Sequence, residues 1–106
     1  NMVSGLTSMR SSRWLKEKAA AKDYFELTQA EVNAINQLIR EQKALLDQLD
    51  KSIDGYNIGM NCGETAGQTV FHCHVHLIPR RQGDAPYPKG GVRHVIPYKG
   101  NYEDLK

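Results

Sequence analysis

Three histidines stand at alternate positions, His72, His74 and His76, in the run His-Cys-His-Val-His-Leu-Ile. On an extended strand, alternate residues share one face and lie roughly 7 Å apart. Histidine is the side chain whose ordinary pKa lies closest to neutrality. Three rings in a row therefore offer acid, base and nucleophile at one site. A neutral imidazole can attack phosphorus and form a covalent phosphoramidate, dividing one difficult displacement into two. Its neighbours can hold phosphate oxygens or pass a proton to a leaving group.

Two other readings stand beside this one. His-x-His on a strand can give two ligands to a zinc ion, with a third from elsewhere. The third histidine in strict alternation is less useful to one tetrahedral ion, and no Asp, Glu or Cys stands in an obvious partner position. The plainest reading is a polar strand face turned to solvent. An apolar residue in every gap of a histidine triplet is not expected of such a face.

The elements that must carry the rings follow from periodicity. Thr69 to Pro79 reads as a strand, with Phe71, Cys73, Val75 and Leu77 on the apolar face and the histidines on the other. Residues 28–52 read as a long helix. Thr28 and Glu31 form a capping-box pattern, and Leu27 and Val32 occupy staple positions. Val32, Ile35, Leu38, Ile39, Leu45, Leu46 and Leu49 recur near the helical period. Asp54-Gly55 starts a turn. Tyr56 to Asn61 alternates as a strand, and Cys62 to Gln68 reads as a loop. Residues 82–106 are rich in Gly, Pro and charge, with a possible short strand at Val92–Ile96. Residues 1–10 read as a loose terminus, and 11–23 as a short helix carrying Trp14.

The bulk properties bound the function. A chain of 106 residues fits one small domain, whose modest core favours oligomerisation. The net charge of +2 is too small to imply a nucleic-acid partner. It is unevenly spread: residues 25–54 carry three basic and six acidic groups, and residues 55–106 six basic and four acidic. No stretch approaches the ~20 apolar residues of a membrane span, and no signal peptide is evident. The two cysteines, Cys62 and Cys73, lack the spacing of a zinc or redox motif. A reducing cytoplasm is the default compartment.

The run His72–Ile78 resembles the signature of the histidine-triad (HIT) family. Gly67-Gln68-Thr69-Val70-Phe71 is similar to the segment that leads into that motif. Asn61, eleven residues before His72, stands where the family has a phosphate-side Asn. Tyr56–Gly59 and the helix from Phe25 to Leu49 resemble the preceding strand and long helix. Gly90-Gly91-Val92-Arg93 and Ile96-Pro97 resemble a C-terminal extension in a bacterial branch related to dinucleoside polyphosphate hydrolases.

The resemblance covers about residues 24–102. It implies an α+β fold, one long helix on a small antiparallel sheet, in a HIT-like portion (24–106) preceded by a divergent segment (1–23). It also implies a nucleotide hydrolase or transferase acting on a nucleotide or dinucleoside polyphosphate. His74 would attack the α-phosphorus, His76 would assist the leaving group and His72 would position His74. Asn61, Gly67, Gln68 and Thr69 would lie against phosphate, and no metal or other cofactor is implied.

The sequence departs from the family at its start. The strands of the nucleoside pocket and their Pro-x-x-His segment have no counterpart, as in a truncated or divergent member. An inactive relative that binds nucleotide or only assembles is therefore the first alternative, and a metal-binding protein the second. A hairpin with one helix leaves a strand edge open, so an obligate homo-oligomer is expected. Arg80-Arg81 and Arg93 either attract polyphosphate or are solvated charges.

Overall fold

A computed structural model describes the backbone of residues 7–10 and the whole of residues 21–101. Its core is a three-stranded antiparallel sheet in the order β1-β3-β2. The strands are β1 (Thr7–Arg10), β2 (Gly55–Gly59) and β3 (His74–Arg80). One long helix, α1 (Gln29–Leu49), packs on one face. The fold is α+β.

Helix α1 begins as its sequence dictates. The Thr28 hydroxyl accepts from the Glu31 N–H at 3.2 Å, and the Glu31 carboxylate accepts from the Thr28 N–H at 2.8 Å. This capping box satisfies two orphan donors of the first turn and puts an acidic group at the positive end of the helix dipole. Ile35 and Leu46 are buried against Val75, Leu77, Cys73 and Ala21, with Leu27, Leu38, Ile39, Ile53 and Tyr56 packed around them. Removing a side chain such as Leu77 from this small core costs about 2–5 kcal/mol. Tyr56 adds a polar tie from sheet to helix, its hydroxyl donating to Asp47 at 2.5 Å. Burial, and then this bond to a carboxylate, push its phenol up to about 12.

The register sets the two faces of the sheet. Ile58 lies opposite Leu77 and Tyr56 opposite Pro79, on the helix side. Gly59 lies opposite His76, Asn57 opposite Ile78 and Gly55 opposite Arg80, on the other side. The far end of the β2–β3 pair is closed by polar contacts. Arg81 donates to Asp50 at 2.6 Å, and the Asp54 N–H donates to the Arg80 carbonyl at 2.9 Å.

Three elements differ from the sequence reading. Thr7–Arg10 is a strand rather than a loose end, and it pairs with β3 from Thr7 opposite Leu77 to Arg10 opposite His74. Strand β3 is therefore central, paired on both edges, rather than the open edge of a hairpin. It starts at His74, not Thr69, and residues 70–72 are bends. The Cys73 N–H, just before the strand, donates to the Ala21 carbonyl at 2.8 Å. Finally, Val92–Ile96 is not a strand: Gly91–Val95 forms a 3-10 helix after Gly90 in a left-handed conformation. The helix expected at 11–23 lies outside the described residues over 11–20, Trp14 included, and 22–23 form a bend.

Candidate active site

The site is assembled by the central strand and the loop that enters it. His74 and His76 alternate with the buried Val75 and Leu77, so both rings stand half-buried on the face away from α1. His72 lies outside the strand and is exposed. Two of the three histidines are thus placed by the sheet and the third by the bend before it.

The loop of residues 60–73 is built around Gln68, whose side chain is buried. Its amide oxygen accepts from the Gly63 N–H at 2.8 Å, and its amide nitrogen donates to the Lys22 and Val70 carbonyls. The Gln68 N–H also donates to the Gly63 carbonyl at 3.1 Å. One side chain therefore closes the loop on itself and fastens it to the segment before α1. Gly63 and Gly67 both have φ of 95°. Glycine adopts this conformation freely, and a side chain there would be strained.

Gly67 also faces Asn61 closely, since a Cβ at Gly67 would stand 3.6 Å from the Asn61 amide nitrogen. The structure thus brings Asn61 and Gly67 together, with Thr69 exposed on the same loop. The loop springs from the end of the sheet where His76 and His74 stand. Gln68 differs from the other three: its hydrogen-bonding groups are turned inward to backbone.

The arginines after the strand are engaged by carboxylates. Arg80 makes a two-pronged contact with Asp84, at 2.8 and 2.7 Å, and donates to the Asn57 side-chain oxygen. The Arg80 bond holds the Asp84 carboxyl well below the usual carboxylate range. Arg81 pairs with Asp50, whose carboxyl is held down to about 2 by hydrogen bonds from Ser52 and then Arg81. These pairs account for both cations as fastenings of the β2–β3 end.

Residues 85–94 then lie against the histidine-bearing face of the sheet. They form a cleft with Asn57, Ile78 and Arg80 of β2 and β3. Sequence reasoning passed over Asn57, Gly59 and Ile78. Their only signal is the strand register, which is not legible from one strand alone.

Among the described residues, no group of three or more His, Cys, Asp or Glu is placed to hold a metal ion. The metal-binding reading therefore finds no ligand set there. Cys73 is buried and Cys62 partly so. Among the described residues, no helix is long and apolar enough to cross a membrane.

Comparison with known proteins bears on the family. The family model for the HIT domain matches residues 17–83. An uncharacterised HIT-like protein of Methanocaldococcus jannaschii is 46% identical over 59 residues, covering 54% of this chain and 46% of that protein. A bis(5'-nucleosyl)-tetraphosphatase (asymmetrical) of Schizosaccharomyces pombe is 37% identical over 59 residues, 56% of this chain and 32% of that protein. An adenylylsulfatase of Arabidopsis thaliana is 40% identical over 40 residues, 38% of this chain and 20% of that protein. The chain spans less than half the length of each of these relatives. No solved structure matches it. With the family match covering more than half of the chain and enclosing all three histidines, the chain belongs to the HIT-domain family.

Proposed function

We propose that the chain is a nucleotide hydrolase or nucleotidyl transferase that works at an α-phosphate through a covalent nucleotidyl-His74 intermediate. The observation that carries this reading is the pairing of His74 and His76, half-buried on one face of the central strand, with a glycine loop that sets Asn61 against Gly67. The tetraphosphatase and the adenylylsulfatase among its relatives support the same substrate class, a nucleotide whose α-phosphorus carries an anionic leaving group.

In this reading, a ring nitrogen of neutral His74 gives its lone pair to the α-phosphorus. A P–N bond forms as the bond from phosphorus to the bridging oxygen breaks. The electron pair goes to the departing oxygen, which takes a proton from the imidazolium of His76. Water then attacks the same phosphorus and yields its proton to His76. The new P–O bond forms, the P–N bond breaks, and the pair returns to His74 as the nucleoside monophosphate leaves.

His72 positions His74 from the bend. Asn61, Thr69 and the backbone at Gly67 hold phosphate oxygens, and Gln68 sets the loop that presents them. No cofactor enters these steps. The working assembly is a homo-oligomer, a proposal supported by the exposed apolar side chains of Leu45, Leu49 and Ile58.

The test is AMP release from AMP phosphoramidate or diadenosine tetraphosphate. The wild-type chain releases AMP faster than His74→Ala. Equal rates would overturn the enzymatic reading and leave the nucleotide-binding relative in its place.

A further inference from the structure

The groups that hold phosphate in the proposed chemistry leave its charge unmet. Asn61, Thr69 and the Gly67 backbone are neutral, and His76 is a cation only while it keeps its proton. The phosphate of a nucleotide is anionic throughout. The cations of the β2–β3 end do not answer it. Arg80 stands six residues beyond His74, roughly 20 Å along the strand, and Asp84 meets it at 2.7 Å. Asp50 meets Arg81 at 2.6 Å, and Asp47 meets Lys43 at 2.7 Å on α1.

A cation from another segment is fastened beside the site. The Lys22 carbonyl accepts from the side-chain amide of Gln68, 46 residues away in sequence. The Ala21 carbonyl accepts from the Cys73 N–H at 2.8 Å. Gln68 stands between Gly67 and Thr69, and Cys73 between His72 and His74. The chain at Lys22 is thus tied to both halves of the site, the loop and the head of the strand. Ala21 and Cys73 are buried together in the core, whereas Lys22 is exposed, as His72 is.

The carboxylates nearest Lys22 in sequence are used by backbone. Glu26 accepts from the Lys22 N–H at 2.8 Å, and Asp23 accepts from the Phe25 N–H at 2.9 Å. Among the described residues, Lys22 forms no ion pair. A lysine ammonium is a compact charge with three donors on a flexible stem. Such a group can follow phosphate oxygens as they move during displacement.

Resting on the reading of His74 as nucleophile, we infer that Lys22 is a further substrate-binding residue, whose ammonium meets the α-phosphate between His74 and the Gly67 loop. It enters the site from the segment before α1. Gln68 then has a second task, since the bond that fastens the loop also sets the lysine beside the loop's phosphate-holding groups.

The test is a charge series at position 22, read as AMP affinity by calorimetry and as kcat/KM for AMP phosphoramidate. Ionic strength is held at about 0.15 M, where exposed charges more than about 8 Å apart are largely screened. The Lys22 side chain is exposed and its hydrogen bonds are made by backbone, so the substitutions keep the fold. Lys22→Met lowers both values about tenfold, the lower end for a hydrogen bond to a charged group. Lys22→Arg restores much of each, Lys22→Glu loses more than Lys22→Met, and the urea midpoint is unchanged through the series. Values in Lys22→Met within twofold of wild type, with turnover above His74→Ala, overturn the role of Lys22 and leave the His74 chemistry standing. Equal losses in Lys22→Met, Lys22→Arg and Lys22→Glu overturn it too, because the loss then does not follow charge. Wild-type turnover no faster than that of His74→Ala overturns both readings.

Discussion

The imidazole of His94 occupies the space that a Cβ on Gly100 would need. The same ring nitrogen that lies 2.8 Å from the Lys89 carbonyl would stand 2.6 Å from a Cβ on Gly90. Two glycines thus close on one ring. The chain returns to it through a turn in which the Lys99 N–H donates to the Ile96 carbonyl, with Pro97 leading and Tyr98 at φ of 64°. Pro followed by a positive φ is the pattern of a type II turn. This clasp holds the segment that roofs the cleft.

Gly100→Ala is expected to push His94 out of place and loosen residues 85–99, at a cost of about 1–3 kcal/mol. Amide hydrogen exchange checks it. Exchange quickens in 85–99 while β2 and β3 keep their protection. Uniform quickening across the sheet would show that the clasp is part of the global core instead.

Gln68→Leu removes the partners of the Gly63 N–H and of the Lys22 and Val70 carbonyls. Leaving such groups unpaired in a part-buried loop costs about 1–3 kcal/mol. The urea midpoint should fall together with activity. Loss of activity at an unchanged midpoint would mean that Gln68 touches phosphate and does not hold the loop.

The acid limb of stability should depend on Asp50. Its folded carboxyl, at about 2, lies below the ordinary 3.8. A depressed carboxyl contributes stability that is present above the unfolded value and is lost as pH falls through the folded one. The window is therefore between pH 3.8 and about 2. In Arg81→Ala the carboxyl titrates nearer the ordinary value and stability within that window falls less steeply. Carboxyl NMR titration reads the shift directly, and an unmoved Asp50 would remove Arg81 from the account.

His76→Ala should slow turnover by roughly 10²–10⁴-fold, the usual contribution of a positioned proton donor. The loss should be greatest for leaving groups that most need protonation. A uniform loss across leaving groups of different acidity would assign His76 to positioning rather than proton transfer.

Light scattering at micromolar concentration should give a mass above that of one 11.9 kDa chain. Leu49, 66% exposed on α1, and Ile58, 51% exposed on β2, are the side chains to alter. Leu49→Glu with Ile58→Lys should dissociate the assembly. A wild-type monomer would refute the oligomer.

Much of the fold was legible because local physics decides it. Thr28 and Glu31 cap their own helix within one turn, and Ile35, Leu46, Val75 and Leu77 advertise their burial by period. Less was legible at the ends of β3. The strand begins at His74 and pairs on both sides with segments that lie far away in sequence, Thr7–Arg10 and Gly55–Gly59. The run Val92–Ile96 has the composition of a strand, yet it coils after Gly90 and Gly91, both at positive φ, turn the backbone.

The sequence by itself determined that His74 and His76 share a face, that this face opposes the core, and that a glycine loop with Asn61 precedes it. Each follows from the two-residue alternation of a strand or from spacing along one segment. Only the tertiary structure decided that His72 lies off the strand, that Gln68 serves the loop from inside, and that Arg80 and Arg81 are met by Asp84 and Asp50. It also decided that Gly59 lies opposite His76. For His72, Arg81 and Gly59, the deciding partners come from other segments of the chain, and strand register and loop closure exist only once those segments have met.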